Sequence, residues 1–153
     1  MREILGKPVG TGLRVAIVVA RFNRSVTESL LDGALAGLRE HGVADQAIDV
    51  LRVPGAFEIT VAAEHCAASG RYAALICLGA VVRGETPHFE FISREVSRGV
   101  NDVACRHRIP VAFGVLTTDT IEQAIERAGA KAGNKGWDAA ITAIEMVDLF
   151  KKL

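Results

Sequence analysis

The strongest constraint on this chain is a set of four short apolar runs, at residues 13–20, 48–53, 72–78 and 110–116, each largely continuous in hydrophobic residues. Alternation would mark a strand with one wet face, whereas a continuous run of this length fits a strand buried on both. Such strands belong to parallel sheets, whose helical crossovers cover both faces. The intervening segments carry the helices. Residues 25–41 put Leu30, Leu31, Ala34 and Leu38 on one stripe, Ser25 with Glu28 reads as a capping box, and Gly42 stops the helix. Residues 57–68 and 89–107 predict two more helices, and 121–152 a helical tail interrupted around 129–136, with Thr120 and Gln123 as a second capping box. The order predicts an α/β fold: a four-stranded parallel sheet with right-handed crossovers and helices on both faces.

At 153 residues the chain, 1–153, reads as a single domain, and 50% hydrophobic against 24% charged residues are enough for a full core. Eighteen Lys and Arg balance eighteen Asp and Glu, so no long-range field draws in nucleic acid or an anionic membrane. A neutral chain also fits one that hides surface by assembling. Neither a signal peptide nor an apolar run long enough to span a bilayer is present, which predicts a cytoplasmic protein. Cys66, Cys77 and Cys105 form no CxxC pair and are odd in number. They read as small buried hydrophobes in a reducing compartment, with no metal site.

In open α/β sheets ligands bind beyond the carboxyl ends of the strands. The unusual residues of this chain cluster there: Arg21-Phe22-Asn23, Pro54-Gly55-Ala56-Phe57-Glu58, residues 79–88, and Thr117-Thr118-Asp119. Thr86 followed by Pro87 fits an N-cap with proline at the first helical position, where free N–H groups suit an anion. His88 beside it can carry protons near neutral pH, or can be a surface residue behind a plain cap. His41 fits a helix C-terminus, and His65 and His107 fall inside helical patterns. Phe22 and Phe57 either plug the core or stack on a flat heterocycle, with Glu58 accepting hydrogen bonds from it. Arg127 is either a solvated ion pair or a phosphate clamp. The run Lys131-Ala132-Gly133-Asn134-Lys135-Gly136 lacks the ending and the preceding strand of a P-loop, and no GxGxxG follows the first strand.

Taken together the loops resemble the 6,7-dimethyl-8-ribityllumazine synthases of riboflavin biosynthesis. The resemblance rests on Ala20-Arg21-Phe22-Asn23, Val53-Pro54-Gly55-Ala56-Phe57-Glu58, the run from Gly79 through Arg83-Gly84-Glu85-Thr86-Pro87-His88 to Phe89, Phe113-Gly114-Val115-Leu116-Thr117, and Glu122-Gln123-Ala124-Ile125-Glu126-Arg127-Ala128-Gly129. It implies a three-layer αβα sandwich of flavodoxin-like type. It also implies a cofactor-free condensation of 5-amino-6-(D-ribitylamino)uracil with 3,4-dihydroxy-2-butanone 4-phosphate, releasing phosphate and water. Carried over, Phe22 stacks on the pyrimidine, while Ala56, Phe57, Glu58, Ala80, Val81 and Val82 hold the ring and ribityl chain. Phe113 closes the ring pocket from a neighbouring subunit, Glu85, Thr86 and the neighbour's Arg127 hold the butanone phosphate, and His88 is the general acid/base. Lys135 adds positive charge near the phosphate. Val82 and Phe91 depart from the common pattern in ways that touch packing rather than chemistry.

The implied partners are the two small-molecule substrates, further copies of the chain in a pentamer with sites at subunit interfaces, and a functional link to riboflavin synthase. In the family this chain resembles, a tight Gly-Asn-Lys-Gly connection without insertion accompanies closed shells, so Gly133-Asn134-Lys135-Gly136 implies that pentamers close into an icosahedral 60-mer. Two alternatives use the same fold. One is a flavin-binding or shell-forming protein without turnover, against which His88 and Arg127 argue. The other is a flavodoxin-like redox module, against which the lack of a Ser/Thr-rich loop after the first strand argues.

Overall fold

In the computed structural model, which describes residues 1–129 and 133–153, the four runs become β1 (Val15–Ala20), β2 (Ile48–Val53), β3 (Ala74–Val82) and β4 (Val111–Thr118). All pair in parallel, in the order β2-β1-β3-β4. The helices are α1 (Arg24–Glu40), α2 (Ile59–Ala68), α3 (His88–His107), α4 (Ile121–Arg127) and α5 (Lys135–Phe150), with 3-10 turns at Asp45–Ala47 and Ala56–Glu58. Ala130, Lys131 and Ala132, the middle of the basic glycine-rich run, lie outside the described residues.

Period-two geometry splits each central strand between two cores. Val15, Ile17 and Val19 face one core with Leu30, Leu38 and Ile144, under α1, α4 and α5. Ala16, Val18 and Ala20 face the other with Ile59, Val96, Val100 and Val103, under α2 and α3. Every β1 residue is buried. The result is the three-layer αβα sandwich that the element order predicts.

The departures from expectation have local causes. β2 is an edge strand and only half-buried, so Asp49 and Arg52 sit in it without cost: Arg14 Nη2 reaches Asp49 at 2.8 Å, and Arg52 pairs with Glu28. Glu28 is thereby occupied, and Ser25 lies inside α1, so the capping box expected there does not form. α1 starts instead after Asn23, which adopts the left-handed conformation at φ 59° and makes no side-chain cap. The second box holds in part: Gln123 N–H donates to Thr120 Oγ1 at 3.1 Å, while Gln123 Oε1 accepts from Asp119 N–H, one residue before the cap, at 2.9 Å. Ahead of α3 the cap position is Pro87 rather than Thr86, and no side chain caps it. β3 runs four residues past its expected end, because Gly79, Ala80, Val81 and Val82 pair with Val115, Leu116, Thr117 and Thr118 of β4. Cys66 and Cys77 are buried, and burial pushes the Cys77 thiol up to about 12, but Cys105 is exposed. It sits near the end of α3, whose buried stripe is Val96, Val100 and Val103.

Among the described residues no helix is long and apolar enough to cross a membrane.

Candidate active site

The chain leaves β1 toward β2 on one side and reaches β3 on the other, so the sheet switches direction between β1 and β3. The loops there splay apart and leave a crevice. A cavity of about 610 Å³ opens at this point. Its walls come from the ends of β1, β2 and β3 and from the start of α3: Phe22 and Asn23, residues 55–58, residues 80–82, then Gly84, Thr86, His88, Phe89 and Ile92.

Each wall is held by backbone geometry. Arg21 N–H donates to Val53 O at 2.8 Å and Phe22 N–H to Pro54 O at 3.1 Å, which pins the turn after β1 to the end of β2. From the other side, Asn23 Nδ2 donates to Ala80 O at 2.8 Å. Between these anchors the chain turns through the left-handed residue Asn23, a conformation that asparagine tolerates better than most residues. Phe22 is 71% and Phe57 59% exposed. Neither ring is a core plug, and both stand at the cavity. Glu58 is turned back on its own segment, accepting from Gly55 N–H at 3.0 Å through Oε2. One carboxylate oxygen is thus committed to ordering the loop, leaving the other for a ligand.

His88 is the first residue of α3 and is exposed at the cavity. The uncapped first turn leaves backbone N–H groups beside it, the arrangement that favours an anion. The other histidines are spoken for or remote. His41 Nδ1 lies 2.8 Å from Gly37 O, and His107 Nε2 lies 2.7 Å from Glu64 Oε1, a contact that holds the Glu64 carboxyl below its ordinary range. His65 is exposed on α2.

Phe22, Ala56, Phe57, Glu58, Ala80, Val81, Val82, Thr86 and His88 therefore converge. Glu85 is exposed in the same loop but is not among the residues that line the cavity. Phe113 and Arg127 lie elsewhere, in a separate cavity of about 320 Å³ along β4 with Thr117, Lys135 and Asp138. Phe113 is 44% exposed on the free edge of the sheet. Arg127 lies along its own helix, with Nη1 3.3 Å from Gln123 O, and Lys135 Nζ is 3.2 Å from Asp138 Oδ2. Asn23, Phe89 and Ile92 line the main cavity without having been singled out as binding residues. Asn23 and Phe89 stand within the motif runs of the loops, and Asn23 is also tolerant of the left-handed region, whereas Ile92 carried no signal.

Fold and cavity together define an α/β protein of the doubly covered parallel type, with a crevice at the switch point that carries two exposed aromatic rings and an imidazole at its rim. The comparisons narrow this class to one family. The profile of 6,7-dimethyl-8-ribityllumazine synthase matches residues 12–151. A protein of Syntrophus aciditrophicus (strain SB) named 6,7-dimethyl-8-ribityllumazine synthase is 57% identical over 148 residues, covering 97% of this chain and 96% of that protein. The chain belongs to the 6,7-dimethyl-8-ribityllumazine synthase family.

Proposed function

We propose that this chain condenses 5-amino-6-(D-ribitylamino)uracil with 3,4-dihydroxy-2-butanone 4-phosphate to 6,7-dimethyl-8-ribityllumazine, with His88 moving the protons. Family membership carries the reaction and makes the chain a transferase. The observation that supports the site is the convergence of Phe22, Phe57 and His88 on one cavity. The pyrimidine lies against Phe22. The polar backbone of residues 56–58 and 80–82 takes its ring and ribityl groups, and the free Glu58 oxygen accepts from them.

His88 then acts at the imine. Attack of the amine on the butanone carbonyl needs a proton delivered to the departing oxygen, and elimination of phosphate needs one removed from carbon. A single imidazole, which can both give and take a proton, can do both in turn. Glu85, Thr86 and the N–H groups opening α3 hold the butanone phosphate, completed by Arg127 of a neighbouring copy.

That completion is the reason for assembly. Phe113 and Arg127 face outward on the β4 edge of their own chain, which leaves them available to a neighbour's cavity. The assembly is a pentamer of this kind in the cytoplasm, and the uninserted junction lets pentamers close into a 60-mer. Asn134 ties the start of α5 to α1 and to the end of α4: its Nδ2 donates to Ser29 O and Ala128 O at 2.8 and 2.9 Å, and its Oδ1 accepts from Gly136 and Trp137 N–H at 2.8 and 3.1 Å. The product is handed on to riboflavin synthase.

The test mixes purified protein with both substrates and follows lumazine fluorescence against the uncatalysed background. Acceleration proportional to protein concentration is expected, and a rate equal to background would overturn the reading. Light scattering at several salt concentrations reads the assembly, and a pentamer-sized species throughout would exclude the shell.

A further inference from the structure

The segment between β3 and α3 carries Glu85, Thr86 and His88, yet Gly84 through His88 are all exposed, and nothing lies within 4 Å of where a Gly84 side chain would point. Proton transfer and phosphate binding both need such a segment to be held in place, since small misplacements of reacting groups are costly. The residue at its root is Arg83. Its N–H donates to Thr118 O at 2.9 Å, extending the β3–β4 ladder by one bond. Its guanidinium then makes three further contacts. Nε donates to Asp119 Oδ1 at 2.8 Å, Nη1 lies 3.6 Å from Glu90 Oε1, and the guanidinium carbon lies 4.6 Å from the centre of the Phe89 ring.

These contacts join two parts of the molecule that the backbone does not join. Asp119 belongs to the loop between β4 and α4, where its own N–H is fixed by Gln123. Phe89 and Glu90 form the first turn of α3, and Phe89 lines the cavity next to His88. A flat guanidinium can engage a carboxylate in its plane and a ring on its face at once, which an ammonium cannot. We propose that Arg83 is a positioning residue, clasping the first turn of α3 to the β4–α4 loop and so fixing the 84–88 segment that holds His88 and the phosphate ligands. The Arg83 side chain is 48% exposed and its carboxylate partners more so. Ion pairs of that kind contribute little to global stability. The clasp acts on local order instead.

The inference rests on the function proposed above, so the test carries one arm that does not depend on it. Arg83→Ala, Arg83→Lys and Asp119→Ala are prepared in the assembled protein, and amide exchange over residues 83–89 is followed together with steady-state kinetics. Arg83→Ala is expected to speed exchange at 84–86 and to lower kcat/KM for the butanone phosphate about tenfold. KM for the pyrimidine should stay within about twofold and Tm within about 3 °C. Asp119→Ala should reproduce the pattern more weakly, and Arg83→Lys should restore part of it. Unchanged exchange at 84–86 in Arg83→Ala overturns the clasp whether or not the wild type makes lumazine. Faster exchange with wild-type kinetics overturns its positioning role. A parallel loss for both substrates with a lower Tm makes Arg83 merely structural.

Discussion

The two regions that carry the proposed binding residues differ in how the chain finishes them. The crevice between β1 and β3 is completed by local geometry: three strand ends, a left-handed asparagine and the first turn of α3 bring nine of the expected residues together. The β4 edge is left incomplete. Phe113 is exposed there and Arg127 folds along its own helix. An exposed aromatic on an unpaired strand edge invites association unless something covers it. The crevice is closed by the fold itself around the switch point, whereas the proposed roles of Phe113 and Arg127 require a second copy to face the β4 edge. Damaging one region at a time separates their contributions.

The largest effect is expected in the crevice. His88→Ala should lower kcat by about 100-fold, the low end for a general acid/base. Tm and assembly should stay as in the wild type, since the side chain is exposed. An unchanged kcat across about pH 6 to 8 would remove His88 from the mechanism.

At the edge, Arg127→Ala should weaken the butanone phosphate by roughly 1.5–3 kcal/mol, the worth of a charge-assisted hydrogen bond, and leave the pyrimidine nearly untouched. Mixing the two variants sharpens the contrast. If His88 and Arg127 of one site come from different chains, a randomly reassembled equimolar mixture contains wild-type sites at about a quarter of its interfaces. Activity regained on mixing is the expected outcome. A mixture no more active than its components would place the whole site within one chain.

Most of the crevice was legible because it depends on local rules. Strand ends follow from apolar runs and the ligand face follows from parallel topology, so the loops carrying Phe22, Phe57 and His88 could be placed at that face, while whether the rings plug the core or face a ligand stayed open. What escaped was tertiary. Ser25 and Glu28 have the spacing of a capping box, but Arg52 on the neighbouring strand claims Glu28 and the helix begins after Asn23 instead. The extension of β3 through Val82 depends on β4 lying alongside, which no window of sequence contains. Arg83 is similar: its partners Asp119, Glu90 and Phe89 meet only after folding. The family's Phe113 and Arg127 could be named from motifs, but their outward placement could not be read from the chain alone.

A smaller effect within the crevice tests the reading of the rings. Phe22→Ala should raise KM for the pyrimidine by an amount corresponding to about 1 kcal/mol of lost stacking. Stability should change little, because the exposed ring contributes little burial. Intact pyrimidine binding would leave Phe57 as the stacking partner and reduce Phe22 to an edge of the cavity.

The smallest effect lies at the foot of the sheet, away from both regions, and separates the pH dependence of the fold from that of the site. Tyr72 donates its hydroxyl to Asp49 Oδ2 at 2.7 Å, Arg14 donates to the same oxygen at 2.8 Å, and Arg71 lies over the Tyr72 ring at 5.2 Å. The tyrosine bond first, and the arginine bond second, hold the Asp49 carboxyl below its ordinary value of 3.8. A carboxyl lowered on folding stabilises the native state above its unfolded pKa, and the contribution disappears as pH falls through the folded one. The contribution is therefore present at about pH 6 and being lost by about pH 3. Asp49 is about one-third exposed, so solvent screening limits the amount to roughly a few tenths of a kcal/mol. On the alkaline side burial, reinforced by Asp49, raises the Tyr72 phenol above 10, so its contribution is intact below pH 10 and lost above it as the folded phenol ionises. Tyr72→Phe should therefore narrow the difference in stability between about pH 6 and pH 3, and remove the alkaline decline due to this residue. The pH profile of kcat over the neutral range should not move. Denaturation curves at about pH 3, at about pH 6 and above pH 10, beside the kinetic profile, decide it, and a shift in the kinetic profile would show that the foot of the sheet communicates with the crevice.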